Sequence, residues 1–167
     1  MRDLGGVEQA VSPPSIIKRK VRDLVDFVQR NRSERVSRGK PERVWFGRVS
    51  DSRAKELRKQ LKQDYGIDYD LRGAVHRIDE DSVGHILGRH ADDYLPFAKN
   101  DFELIPEIVE TGHIIPSDKL TRGRNLPAIT YRKRIGDWYY VVEEVQKKGR
   151  ILSAHTAYKS PAPKHNK

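Results

Sequence analysis

Between Ala128 and Tyr158 the chain alternates three β-prone runs with two short glycine-containing turns, a pattern that leaves few folds open. The runs Ala128 to Arg134, Trp138 to Val145 and Ile151 to Tyr158 are rich in aromatic and β-branched residues, which suit a pleated, half-buried surface. Gly136-Asp137 joins the first pair and Lys147-Lys148-Gly149-Arg150 the second, each with the glycine that a tight hairpin favours. The expectation is a three-stranded antiparallel meander. What precedes it reads mainly as helix. Ser12-Pro13-Pro14-Ser15 ends in a helix N-cap, followed by Ile16, Ile17, Val21, Leu24, Val25 and Val28 at helical spacing. A strand over Val44 to Val49 leads to Ser50 or Asp51 as the cap of a helix bearing Ala54, Leu57 and Leu61, which Gly66 ends. Ile67 to Arg72 reads as a turn or short edge strand, and Asp79 caps a helix running from about Glu80 to His90. A further helix over Asn100 to Glu110 conflicts with Pro106, whose placement in a helix interior costs about 3 kcal/mol, so the alternative is a shorter helix from near Leu104 to Gly112. Helices followed by a small antiparallel sheet predict the α+β class, with the helices packed on one sheet face.

Charge divides the same chain unevenly. Residues 1–41 hold ten basic and five acidic side chains, residues 42–118 eleven and sixteen, and residues 119–167 twelve and three. A basic end beside an acidic middle predicts a polyanion site on a scaffold rather than a protein coated with positive charge throughout. The expected organisation is an N-terminal helix and basic linker or arm over 1–43, the main domain over 44–159 and a disordered basic tail over 160–167. The chain has no cysteine, which removes disulfides, thiolate metal sites and thiol catalysis. No apolar run approaches the ~20 residues of a membrane span, and Met1 is followed by Arg2, Asp3 and Glu8 rather than a greasy leader, so neither membrane nor leader is expected.

Three constellations could do chemistry. His85 and Arg89 share a helix face at ~100° per residue, whereas His85 and His90 stand ~140° apart and make poor joint metal ligands. No metal is expected there. A neutral imidazole with an arginine one turn away meets the minimum for phosphodiester cleavage, with His90 as the complementary acid or, alternatively, a helix C-cap. On the last strand, period-two alternation puts Thr156 and Tyr158 on one face, as a hydroxyl for a phosphate oxygen and a ring for a base, and sends His155 and Lys159 to the other. The structural alternative is that Thr156 and Tyr158 serve β propensity alone. Third, Tyr131, Arg132, Lys133 and Arg134 form a basic strand after Arg122 and Arg124 in the preceding loop. Whichever face is inward, that strand offers a cation to phosphate, although a charged edge that blocks aggregation would look similar.

The His85…Arg89-His90 helix, the Ile105-Pro106-Glu107-Ile108-Val109 helix, the basic strands and the terminal Thr156-Ala157-Tyr158 strand, in that order, resemble the phage-associated branch of the barnase, EndoU, colicin and RelE-like nucleases. The resemblance spans roughly Val44 to Lys159 and is strongest at the His helix and the Thr-x-Tyr strand. It implies cleavage of RNA, tRNA included, without a metal or other cofactor. The neighbouring 2′-OH attacks phosphorus and leaves a 2′,3′-cyclic phosphate, with His85, His90, Thr156 and Tyr158 catalytic. Arg89, Arg122, Arg124, Tyr131, Arg132, Lys133 and Arg134 would hold the substrate. The family's catalytic lysine has no single counterpart here, leaving Lys133, Arg132 and Arg124 as competing choices. The resemblance also implies a toxin domain of a larger phage-head or secreted protein, acting in the cytoplasm and neutralised by an acidic immunity protein or antitoxin that covers the basic cleft.

Two other classes stay open on sequence alone. A non-catalytic nucleic-acid-binding module of a phage structural protein would need only the basic strands. An ADP-ribosyltransferase toxin would need a catalytic glutamate, for which Glu143 and Glu144 sit in mid-hairpin without the accompanying Arg and Ser-Thr-Ser pattern.

Overall fold

Residues 14–34, 42–89, 93 and 95–162 are described by the computed structural model. Helix α1 (Pro14–Glu34) buries Ile17, Val21, Leu24, Val25 and Val28, the apolar set spaced along its sequence. Strand β1 (Arg43–Arg48) leads into α2 (Asp51–Tyr65), whose start is fixed by the Ser50 side chain accepting the Arg53 N–H and whose end is set by Gly66 at φ 71°. Both signals were legible in the sequence. Strand β2 (Val75–Asp79) passes directly into α3 (Glu80–Arg89), and the Asp79 carboxylate takes the Ser82 N–H at 2.9 Å as the expected cap. A 3₁₀ turn (Lys99–Leu104) precedes α4 (Ile105–Thr111), so Pro106 falls in the first helical turn, where its missing N–H costs nothing.

Strands β3 (His113–Ile115), β4 (Ala128–Ile135), β5 (Asp137–Gln146) and β6 (Ile151–Ser160) complete a six-stranded sheet in the order β1-β2-β6-β5-β4-β3. The α+β class and the three-stranded meander hold, but the sheet is larger than expected and mixed. β2 runs parallel to β6 from Val75↔Ile151 to Arg77↔Ser153, and β3 adds a short antiparallel edge to β4. Neither short strand was legible, because Val75-His76-Arg77-Ile78-Asp79 shows no period-two alternation over its five residues and β3 has only three.

Register divides the sheet into two faces. Val44, Ile78, Leu152, Ala154, Ala157, Val141, Val145, Ile129 and Tyr131 alternate onto one face and join residues of α1, α2, α3 and α4 in one core. That core includes Ile17, Val21, Leu24, Val25 and Val28 of α1. Of the connector expected over Arg30 to Arg43, residues up to Glu34 are helical and 35–41 lie outside the described residues. Of the expected tail, Ser160 still belongs to β6 and residues 163–167 lie outside the described set.

The β5–β6 turn is a single 3₁₀ turn with Lys147, Lys148 and Gly149 at φ 53°, 55° and 95°. A Cβ on Gly149 would stand 2.6 Å from Leu71 Cδ2 and 3.1 Å from Tyr69 Cβ. Gly149→Ala therefore combines left-handed strain with a clash and is expected to cost at least about 1–3 kcal/mol, read as a lower urea midpoint. An unchanged midpoint would mean that the turn adopts another conformation in solution.

Candidate active site

The second face of the sheet is crossed by the 116–127 loop rather than by a helix. Ser117 Oγ lies 2.6 Å from Thr130 Oγ1 of β4, and Thr121 Oγ1 donates to Glu144 Oε2 of β5 at 2.6 Å. Between these anchors the chain makes a tight loop. The Thr121 N–H reaches the Leu126 carbonyl at 2.8 Å and the Asn125 N–H the Thr121 carbonyl at 2.9 Å, with Gly123 and Asn125 at φ 93° and 55°. This is the Thr121-Arg122-Gly123-Arg124-Asn125 segment, and its geometry projects Arg122 and Arg124 over the sheet.

Facing that loop, α3 packs beside β6, with Ser82 Oγ donating to the Ala154 carbonyl and with Val83 and Ile86 in the core. Its outward side carries His85 and Arg89. The result is a cleft with lobes of about 470 and 240 Å³ that share Arg122 and His155. His85 and Arg124 line the smaller lobe, and Arg89, Thr156 and Tyr158 the larger. Six of the expected site residues therefore meet: His85, Arg89, Arg122, Arg124, Thr156 and Tyr158. His90 lies outside the described residues.

His155 is the correction. Strict alternation sends it to the face opposite Thr156, but β6 carries a β-bulge: Val142 pairs with Thr156 and Glu143 with Ala154, leaving His155 as the extra residue. The bulge shifts the alternation by one, so that Leu152, Ala154 and Ala157 all face the core while His155, Thr156 and Tyr158 line the cleft. Lys159 does go to the helix face, as expected, where its Nζ lies 2.9 Å from Asp101 Oδ2. The His155 ring stacks on His85 with centroids 5.5 Å apart and planes 27° from parallel.

Behind His155 stands Glu144, which the sequence offered only as a glutamate for the ADP-ribosyltransferase alternative. Its carboxylate is buried and accepts from Thr121, from Arg124 Nη1 at 3.0 Å and from Gln146 Nε2 at 3.0 Å, with His155 Nδ1 3.5 Å from Oε2. Burial pushes the Glu144 pKa up, but the hydrogen bonds from Thr121 and Gln146, with His155 and Arg124 nearby, outweigh it and hold the group below the ordinary carboxylate value. The His155 pKa is lowered too, which for a base favours the neutral form: burial lowers it, the Glu144 charge opposes that, and Arg124 and Arg89 add to the lowering. At neutral pH it is a neutral imidazole beside a carboxylate anion. Tyr158 keeps its proton, because burial and then Tyr140 raise its pKa.

The basic strand β4 splits as alternation requires. Arg132 and Arg134 lie on the cleft side, with guanidinium carbons 4.8 and 6.0 Å from the Trp138 ring centroid. Tyr131 and Lys133 lie on the helix side and are separated from the cleft by the sheet. Tyr131 is fully buried and donates to Glu143 Oε1 at 2.7 Å, while Lys133 Nζ lies 2.9 Å from Glu107 Oε2. Both were expected to hold substrate; the structure places them on the face opposite the cleft. Among the described residues no three His, Asp or Glu side chains converge as ligands of a metal ion.

A family model described as phage-Barnase-EndoU-ColicinE5/D-RelE like nuclease 3 matches residues 52–167, which contain every cleft residue named above. Neither the comparison with curated proteins nor that with solved structures found a match.

Proposed function

Because this chain belongs to the phage-Barnase-EndoU-ColicinE5/D-RelE like nuclease 3 family, we propose that it is an endoribonuclease that cuts RNA by attack of a 2′-OH on the adjacent phosphorus. The observation that carries the reading is His155, delivered by the bulge onto His85 with Glu144 behind it and Arg89, Arg122 and Arg124 lining the two lobes that it joins. Transesterification needs a base for the 2′-OH, an acid for the departing 5′-oxygen, and positive charge where the phosphoryl oxygens become more negative. His155 fits the base, since burial keeps it unprotonated and Glu144 is placed to orient its ring and favour the imidazolium that forms. His85 is the matching acid. Arg89, Arg122 and Arg124 stand where phosphoryl charge would be held, and the Thr156 and Tyr158 hydroxyls can donate to a non-bridging oxygen. The O2′–P bond forms, the P–O5′ bond breaks, and the products are a 2′,3′-cyclic phosphate and a 5′-OH.

This reading predicts cleavage that persists in EDTA and stops when the nucleotide 5′ to the cut is 2′-deoxy. Cleavage of the deoxy substrate would sink the chemistry. It also fixes a pH profile: a base works when deprotonated, so the rate rises with pH through the His155 pKa, and that acidic limb lies below the ordinary imidazole value of 6.5. A limb centred above 6.5 would point to a different base. In the cell the activity would be that of a phage-associated toxin domain acting on cytoplasmic RNA, tRNA being one candidate, and restrained by an acidic immunity protein over the arginine-lined cleft. Mapping RNA ends after brief expression identifies the target and the cut chemistry together.

A further inference from the structure

We infer that the open sheet face holds a single-stranded polynucleotide on both sides of the cleft, through two aromatic–guanidinium platforms, Arg77 with Trp45 and Arg132 with Trp138. This deepens the ribonuclease reading and rests on it for the identity of the bound strand. Trp45 and Arg77 are register partners across β1 and β2, with the Arg77 guanidinium carbon 5.7 Å from the Trp45 ring centroid. Val44 and Ile78, their neighbours in sequence, face the core, so this pair faces the cleft side. Arg77 is tied inward: Nε donates to Ser153 Oγ at 3.2 Å and Nη2 to Gln146 Oε1 at 2.8 Å, and Gln146 in turn donates to Glu144. One platform is thus joined to the carboxylate behind His155.

The other lies along β5 in the opposite direction. Tyr158, at the cleft, stacks on its register partner Tyr140 with centroids 4.8 Å apart and planes 10° from parallel. One step further on the same face comes Trp138, with Arg132, the register partner of Tyr140, reaching over its ring, and the Arg132 Nε is buried with no hydrogen-bond partner among the described residues. Arg132 as a whole is only partly buried, so it is the rest of its guanidinium, not this nitrogen, that can offer N–H donors to a phosphate oxygen. At ~3.4 Å per strand residue, Trp138 stands about 20 Å from Glu144, so the platform serves nucleotides beyond the scissile one.

The chemistry selects the strand. Cations alone would serve any polyanion, and an acidic protein would need no rings. A duplex keeps its bases stacked inside. Rings paired with guanidinium groups on an open sheet match unpaired bases alternating with phosphates.

The chain has two tryptophans, one on each platform, which makes the test direct. In W45F the fluorescence reports Trp138, and in W138F it reports Trp45, each change leaving a ring in place. A ten-nucleotide 2′-O-methyl RNA, which lacks the nucleophile, should quench both variants in a salt-sensitive way, whereas its duplex should quench neither. W138A should weaken binding roughly 5- to 150-fold. Binding that quenches neither tryptophan overturns the inference. So does quenching by the duplex or by polyglutamate at matching concentrations, which would assign the face to another class of partner. Because the probe cannot be cut, the two readings fail separately: quenching without cleavage of ordinary RNA removes the nuclease, and cleavage without quenching removes the platforms.

Discussion

His155→Ala is expected to lower the rate of RNA cleavage by about 10²–10⁴-fold, the usual contribution of a positioned general base, with little change in thermal midpoint or in affinity for uncleavable RNA. That range corresponds to about 3–5 kcal/mol of transition-state stabilisation. Stability should be spared because the ring is only partly buried, and its described partners are His85 and the edge of Glu144. His85→Ala should cause a loss of the same order. Since base and acid serve one concerted displacement, the double variant should lose about as much as the worse single change rather than the product of both. Glu144→Gln separates positioning from proton transfer. The amide still accepts from Thr121 but no longer attracts the imidazolium, so the rate should fall less, and the acidic limb should move to lower pH because the carboxylate's pull had been raising the His155 pKa. A His155→Ala protein that cuts at a tenth of the normal rate or faster would remove His155 from the chemistry.

The position of that histidine also marks where the sequence stops being readable. Caps at Ser50, Asp79 and Gly66, the two glycine turns, and the split of Arg132 and Arg134 from Tyr131 and Lys133 all follow from local rules, and the structure obeys them. Those rules were enough to gather His85, Arg89, Arg122, Arg124, Thr156 and Tyr158. They fail at His155 because a bulge is a property of two strands together: the extra residue is set by what β5 must match, and nothing in Ala154-His155-Thr156 announces it. Glu144 was weighed only for the ADP-ribosyltransferase alternative, and its place beside a histidine was not foreseen, for a related reason. A carboxylate in a basic strand pair is uninformative until the Thr121 loop is seen to fold back onto it, a contact between residues 23 positions apart. Tyr131 was grouped with the substrate residues from its company in sequence, whereas its face is settled by α2 and α4 packing against that side of β4.

Glu143, the neighbour of Glu144 on the other side of the sheet, is the residue whose loss should hurt the fold most. It is fully buried, accepts from Tyr131 at 2.7 Å through Oε1 and lies 2.7 Å from His76 Nδ1 through Oε2. The network extends outward. His76 stacks on Phe46 at 5.3 Å, and Arg53 places its guanidinium carbon 5.4 Å from the Tyr131 ring centroid while donating to the Val109 and Gly112 carbonyls at the end of α4. Burial, then the Glu143 charge, hold the Tyr131 pKa well above its ordinary value, so the phenol stays a donor throughout the working pH range. Glu143→Ala leaves His76 and Tyr131 buried without their shared acceptor and should cost about 3–5 kcal/mol, seen as a lower urea midpoint at unchanged slope. Glu143→Gln keeps the shape and the Tyr131 acceptor and should cost less. Activity should respond as well. Adjacent carboxylates tied to opposite faces, Glu143 into the helices and Glu144 into the cleft loop, hold β5 against a one-residue slip at the point where β6 carries its bulge. Under conditions where Glu143→Ala is still folded, its cleavage rate should therefore fall although the residue never touches substrate. A variant with wild-type kcat and a midpoint shift worth under about 1 kcal/mol would show that the bulge keeps its register without this anchor.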